Sequence, residues 1–579
     1  MSPTSGETLT PALCLHGDSS TRSTGRGSEG ARDWVARILI PLLFFCATAP
    51  TLQWVEFAGG AESIVVATAL EMRRSGEWMI PTLAGQKRLA KPPLASWLAA
   101  ISIDARTFDR TLHDDPPVRE AAYKRLTWEV RWPALLCACI ALAFTYDLGR
   151  ILAGRRLAVI AALAHGASYG FLRYSRIATA DVQLALWVTA GNFFLARAIV
   201  ENKRWSGCLG AGAAIALAFI SKGPVSLLQT LLPFVIFGLC VRASKPIASR
   251  GRGMRAPAMV AVVFFAVLAL PWFVYVASRA HAWSTWYVEV LRQDPAVPKG
   301  SALNYLTIFA LILPWSAFFI AGLALAIDQL RQRPLPPITA ALFLVVIPIL
   351  VMIFFPDRKE RYLLPMLPAA AILAGHGMLA MREPQLAKKI LPAVVGHWMI
   401  LVAIGVLLPI AAALPRISGM KTSDGGPWFS WPLAIAAAGA CGVLVAVGIR
   451  LSRDRIAPLV AVTVAIILLI QPLLIWGYSR SNAGQSEFKS LAFDLRQRFG
   501  GVPAYSFRPD RRSPEDLSIY MNETVHMLKS TGSVPPSNGP QLLFVFEHKN
   551  QPAPTVPQNW SRVGSQQHGQ GTWVVYHHP

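Results

Sequence analysis

Charge is what this sequence has least of. Asp, Glu, Lys and Arg make up 15% of its 579 residues, against 53% hydrophobic ones, too little to cover the surface of a soluble protein of this size. With a mean hydropathy of +0.42, the composition predicts a polytopic membrane protein. Cysteine offers no chemistry either. The seven cysteines show no metal-ligand spacing. Cys46, Cys137, Cys139, Cys208, Cys240 and Cys441 lie in or beside apolar runs, where Cys137-Ala-Cys139 reads as helix packing, and no disulfide framework is visible. Also missing are a glycine loop able to cradle a nucleotide phosphate, an Asp-x-Asp motif in an outward loop, and any long-period repeat. Nothing points to a nucleotide substrate.

The charge that is present is lopsided. Lys and Arg outnumber Asp and Glu by 55 to 32, a formal net charge of +23. The cations cluster at the ends of apolar spans, which reads as positive-inside topology and contact with anionic lipid headgroups, so no nucleic-acid partner is expected. Residues 1–33, rich in Ser, Thr, Gly and Arg, are expected to form a disordered cytoplasmic tail. The first span, about 34–52, follows Arg22, Arg26 and Arg32 and therefore starts inside; it lacks the cleavage site of a signal peptide. Alternation from there gives thirteen spans within 34–477. The basic loops fall inside, and the first loop, 53–131, falls outside. Within that loop, 92–103 is apolar but too short to span, so it is expected to lie at the interface or re-enter. The tail 478–579 also falls outside. Helical spacing of Phe488, Leu491, Leu495 and Phe499, with strand-like runs at 503–507, 541–546 and 572–576, predicts a small α/β domain there.

One stretch of the first loop is denser in signals than the rest: AESIVVATALEMRRSGEWMIPTLAGQKRLAKPPLASW, residues 61–97. A carboxylate, Glu62, precedes a helix-like turn ending at Glu71-Met72. Ser75-Gly76-Glu77-Trp78, Pro81, Gly85 and Lys91-Pro92-Pro93 follow. This pattern resembles the first extracytoplasmic loop of the lipid-dependent glycosyltransferases with the GT-C fold, above all the 4-amino-4-deoxy-L-arabinose lipid A transferases and more distantly the protein O-mannosyltransferases. The likeness is sharpest at 61–97, 172–200 and 354–373. It implies an α-helical polytopic membrane protein of the GT-C fold, with about thirteen transmembrane helices and the small α/β domain outside. It also implies an activity: transfer of a sugar from a polyprenyl (undecaprenyl) phosphate to an envelope glycolipid, glycan or protein, on the periplasmic face of a bacterial inner membrane. A lipid-carried donor fits the missing nucleotide apparatus.

Such a transfer asks for few groups. The acceptor hydroxyl must lose a proton as it attacks the anomeric carbon, which calls for a carboxylate base. The departing phosphate gains charge and calls for Lys or Arg. Oxocarbenium character in the sugar favours a carboxylate nearby. The resemblance places Glu62 second in the family's acidic pair, while Ala61 stands where the first acid, usually treated as catalytic, is expected. Either Glu62 takes over, or Asp181 carries the carboxylate role alone, or activity is lost. Glu62 also reads simply as a first-turn acid at the positive end of a helix. Asp181 matches the family's second active-site carboxylate and is equally suited to N-cap the next helix. Lys91 matches the lysine implied to hold the lipid phosphate, with snorkelling as the plainer reading. Arg358, Lys359, Arg361 and Tyr362 sit at an outer helix mouth where they would neutralise a phosphate, against simple interfacial anchoring. Lys222, before Gly-Pro, and Arg292, after Glu289, are further phosphate candidates. The family's possible zinc ligands are replaced by Ala90 and Val290, so neither a metal nor another cofactor is expected.

Two other functions share these features. A polyprenyl-lipid flippase or transporter has many spans and basic mouths, but needs no such first loop and would show repeat symmetry. An inactive lipid-binding relative is made credible by Ala61. The deciding arrangement is whether Glu62 and Asp181 meet around one cavity that also holds Lys91.

Overall fold

The structure, a computed structural model, describes residues 26–57, 59–89, 91–244, 254–280, 301–355, 358–452, 455–508, 515–536, 539–549, 552–568 and 571–579. Helix α1 (Arg26–Thr48) begins within the segment expected to be disordered, whose residues 1–25 lie outside this description. The first loop then folds as α2 (Gly60–Ser75), a hairpin of β1 (Thr82–Leu83) and β2 (Gln86–Lys87), and α3 (Leu94–Ser102). Long helices follow: α4 (Pro116–Gly166), α5 (Ala180–Ile199), α6 (Arg204–Lys222), α7 (Val225–Ser244) and α8 (Arg255–Ala280). After the short α9 (Ala302–Leu311), α10 (Ser316–Arg331) and α11 (Thr339–Met352) come α12 (Glu360–Arg382), α13 (Pro384–Ala412), α14 (Trp431–Leu451) and α15 (Ile456–Ser479). The chain is a multi-pass membrane protein.

Among the described residues ten helices are long and apolar enough to cross a bilayer, against thirteen expected, and the difference lies in three places. Two expected spans are the halves of α4, broken only at Ala153 and Gly154, where Gly154 has φ +83°. The span expected at 306–327 is α9 and α10, bent by 111°; Pro314 falls in the break, where a missing N–H ends a helix. Helix α11 has 14 residues, fewer than a bilayer needs. Helix α4 also starts at Pro116, so 116–131, expected as loop, is a helical extension of the bundle. Close packing inside the bundle relies on small residues. A side chain at Gly322 of α10 would lie 1.8 Å from the Leu373 carbonyl of α12.

The C-terminal segment contains α16 (Lys489–Phe499), β3 (Ala504–Phe507), α17 (Glu515–Met521), β4 (Val525–Met527), β5 (Gln541–His548), β6 (Ser561–His568) and β7 (Gly571–His578). The sheet order is β4-β3-β5-β7-β6, with β3 parallel to β4 and β5, and β7 antiparallel to β5 and β6. This sheet sits against the first loop. Val65 and Leu70 of α2, Leu126 of α4, and Leu491, Leu517 and Phe544 share one apolar core. Tyr123 donates to the carbonyls of Ile519 (2.9 Å) and Tyr520 (2.8 Å). The Phe57 amide donates to Tyr520 Oη at 3.1 Å, and the Met527 amide to the Ala84 carbonyl at 3.2 Å.

Candidate active site

The motif residues of the first loop fold the loop itself. Gly59 and Gly60 enter α2 at φ +84° and +78°, where a side chain is strained. Glu71, buried near the end of α2, accepts from Thr82 Oγ1 (2.6 Å) and the Ala84 amide (2.7 Å), which ties the hairpin to the helix. The Trp97 indole donates to the Trp78 carbonyl at 2.7 Å. Gly85, at φ +71°, lets the hairpin tip meet His526 of β4. These contacts hold Arg88 and Lys91 at one wall of a cavity of about 720 Å³.

The opposite lining comes from three helix ends. Asp181 stands in the first turn of α5, whose N-cap is Thr179, so it does not cap the helix. Its carboxylate pairs with Lys222, the last residue of α6, an antiparallel meeting of acid at an N-terminus and cation at a C-terminus that both helix dipoles favour. The Nε of Arg361, in the first turn of α12, lies 3.8 Å from the other oxygen and makes no hydrogen bond among the described residues. Arg358, Lys359 and Glu360 complete this side. Among the described residues the lining thus carries six Lys or Arg side chains against the carboxylates of Asp181 and Glu360.

Lys91 registers that imbalance. Burial, followed by the neighbouring Lys222 and Arg361 and offset only in part by Asp181, pushes its ammonium down from 10.5 to about 8. A cation held this way has unmet demand for an anion.

Other candidates take different positions. Tyr362 does not line the cavity; its ring lies under Lys222, 4.1 Å from ring centroid to Nζ, and steadies that ammonium. Arg358 spends Nε and Nη2 on the Ile353 carbonyl (3.1 and 2.8 Å), just past α11. Arg292, Val290 and Ala90 lie outside the described residues.

Glu62, expected as a catalytic carboxylate, is placed away from the cavity. Its oxygens receive a two-pronged grip from Arg131, Nε to Oε1 at 2.8 Å and Nη2 to Oε2 at 2.7 Å, and the Ala178 amide adds a third bond at 2.8 Å. The two side chains are only 9% and 3% exposed, and Glu62 does not line the cavity. Successive helical residues point about 100° apart, so Ala61 faces the cavity and Glu62 faces Arg131. The arrangement proposed as decisive therefore holds for Asp181 and Lys91, not for Glu62. Sequence reasoning also passed over Arg88 and Glu360, both in the lining. Glu360 lay within the Arg-Lys-Glu-Arg run, where an acid among bases was the only signal.

Comparison with known proteins places this geometry. A family model for dolichyl-phosphate-mannose-protein mannosyltransferases matches residues 123–275. The crystal structure of ArnT from Cupriavidus metallidurans in the apo state superimposes with a TM-score of 0.71 at 18% identity, covering 95% of this chain and 98% of that one. The chain has the GT-C fold. The same ArnT bound to undecaprenyl phosphate matches with a TM-score of 0.69 at 19% identity, over 94% of this chain and 98% of that one. In sequence, the undecaprenyl phosphate-α-4-amino-4-deoxy-L-arabinose arabinosyl transferase 2 of Proteus mirabilis is 23% identical over 65% of this chain and 64% of its own length. A Yersinia enterocolitica enzyme named as the same kind of transferase is 24% identical over 53% of this chain and 52% of its own. The matches to these two relatives thus span less than two thirds of their lengths. Within the GT-C fold, the cavity lies where the first loop, α5, α6 and α12 converge, and the C-terminal sheet supports the loop from behind.

Proposed function

We propose that this protein is a glycosyltransferase of a bacterial inner membrane, moving a sugar from a polyprenyl (undecaprenyl) phosphate to an envelope acceptor at the periplasmic face. The observation that carries the reading is the clustering of Lys91, Lys222 and Arg361 around Asp181 in one cavity. The acceptor oxygen attacks the anomeric carbon and passes its proton to Asp181. The bond from that carbon to the phosphate oxygen breaks, and its electron pair leaves with the lipid phosphate. A phosphodiester with one negative charge becomes a monoester approaching two, so the cations bind the departing group more tightly than the substrate, which is what lowers a barrier. The incoming phosphate competes for Lys222 and Arg361, releasing Asp181 to act as base. Arg88, Arg358 and Lys359 add to the anionic subsite, and Arg292 remains a candidate for it. Ala90 and Val290 stand where the family's possible zinc ligands are expected, so the proposed transfer uses no metal.

The test is radiolabelled transfer from a panel of undecaprenyl-phosphate sugars in membranes, wild type against Asp181→Asn. Loss of a general base costs about 10²- to 10⁴-fold, with lipid-phosphate affinity maintained because the neutralised site gains positive charge. Undiminished transfer in the variant refutes the role of Asp181. Ala61, in the lining where the resemblance expects an acid, favours one second reading, a lipid-binding relative without activity; binding of undecaprenyl phosphate with no transfer from any donor supports it.

A further inference from the structure

Among the described residues the cavity has two carboxylates, and they differ in what they leave open. Asp181 is enclosed by Lys222 and Arg361 and is 3% exposed. Glu360 is 37% exposed at its side chain and uses a single oxygen: Oε1 accepts from Tyr174 Oη at 2.8 Å and is ion-paired with Arg173, whose Nη1 lies 2.9 Å away. Its Oε2 has no hydrogen-bond partner among the described residues. A hydroxyl donor and an ion pair on one oxygen orient the carboxylate and leave the other as an acceptor for what enters the cavity that Glu360 lines. We propose that Glu360 is a specificity-determining residue that reads hydrogen-bond donors, ammonium above all, on the sugar being transferred.

Two arguments place the sugar there. Glu360 and Arg361 are consecutive residues in the first turn of α12, their Cα atoms about 3.8 Å apart, and Arg361 faces the proposed phosphate position. In a polyprenyl-phosphate sugar the ring is bonded directly to that phosphate, while the chain must run to the bilayer. The group beside the phosphate site therefore meets the ring. Charge supplies the second argument. With six cations in the lining, a donor phosphodiester contributes one negative charge, so an ammonium on the sugar enters a repulsive field unless a carboxylate faces it. Among the described lining residues, Glu360 is the carboxylate with an oxygen left to do so. Neutral sugars need it less.

The inference rests on the polyprenyl-phosphate reading of the cavity, and a binding measurement separates the two. The affinity of purified full-length protein is measured for bare undecaprenyl phosphate, for undecaprenyl phosphate carrying 4-amino-4-deoxy-L-arabinose, and for undecaprenyl phosphate carrying a neutral hexose. Glu360→Gln is expected to hold the bare lipid as tightly or more tightly, because it removes a negative charge. It is expected to weaken the aminosugar lipid about tenfold or more, and the neutral one about two- to tenfold, the range separating charged from neutral hydrogen bonds. Tyr174→Phe, which removes the hydroxyl donor on Oε1, is expected to shift the same ratio in the same direction by less. Equal effects on all three lipids, or none on any, overturn the inference and leave Glu360 as a brace for Tyr174 and Arg173. If the ordering holds while wild type transfers no donor, the sugar-reading role stands and the enzymatic reading falls. If wild type transfers sugar and the ordering fails, the reverse holds.

Discussion

Lys91 gives the sharpest quantitative consequence, because its depressed ammonium makes lipid binding a protonation equilibrium. Free of ligand, it titrates at about 8 against an ordinary 10.5, a difference worth about 3 kcal/mol at about 1.4 kcal/mol per tenfold change. A phosphate placed among Lys91, Lys222 and Arg361 replaces repulsion with attraction and moves the ammonium back up. Binding then takes up a proton wherever the free group is deprotonated and the bound group is not. The sign follows: affinity is full below about pH 8 and falls as pH rises through it. Lys91 is about nine-tenths protonated at pH 7 and about one-tenth at pH 9, so affinity for undecaprenyl phosphate drops about tenfold over that interval. At pH 8 about half a proton is taken up per lipid bound. The lipid's own second ionisation, near pH 6, is nearly complete by pH 7 and acts in the opposite direction. Calorimetric titration in buffers of different ionisation enthalpy measures both quantities. Lys91→Arg keeps the charge but does not titrate here, so its affinity should be flat from pH 7 to 9. A wild type as flat as the arginine variant, or an arginine variant as steep as wild type, refutes the reasoning.

Three further outcomes follow from the loop and its supports. Glu62→Ala strands Arg131 without its buried partner, a change that costs about 3–5 kcal/mol; a thermal-shift assay should show marked destabilisation, while intact protein that has lost only transfer would return Glu62 to the catalytic set. Gly85→Ala places a Cβ 2.3 Å from His526 Nδ1 at φ +71°, so limited proteolysis should cut between the hairpin and β4 faster than in wild type; unchanged cleavage counts against this docking. Burial pushes the Asp516 carboxyl, beside Ser63 and Gly59, up to about 6, above its unfolded value of about 3.9. Its contribution to stability is therefore present at low pH and lost as pH rises through about 6, and Asp516→Asn should raise the melting temperature at pH 7.5 and flatten its dependence between pH 5 and 7; an equal slope in both proteins refutes this.

What the sequence disclosed and what it concealed have physical causes. Bilayer-crossing helices are legible because twenty apolar residues in a row have few other uses. Their breaks at Ala153–Gly154 and around Pro314 hide inside unbroken apolar composition. Strand β6, Ser-Arg-Val-Gly-Ser-Gln-Gln-His, lies at the edge of its sheet and carries no apolar run to betray it. In the site, Asp181, Lys222 and Lys91 were legible because chemistry demands those residue types beside helix ends. The surroundings of Glu62 were not legible, for a reason no local pattern contains. Its partner Arg131 is 69 positions away, and a helix turns about 100° between neighbours. Residue 61 therefore looks into the cavity and residue 62 into the protein, so an acid's position along the chain, without its direction, does not decide whether it does chemistry or holds the fold. Glu360 and Arg361 repeat the lesson from the other side. Side by side in one basic run, they face different partners, Tyr174 with Arg173 for one and Asp181 for the other, and that divergence is what would let a single turn serve both the proposed phosphate and the proposed sugar.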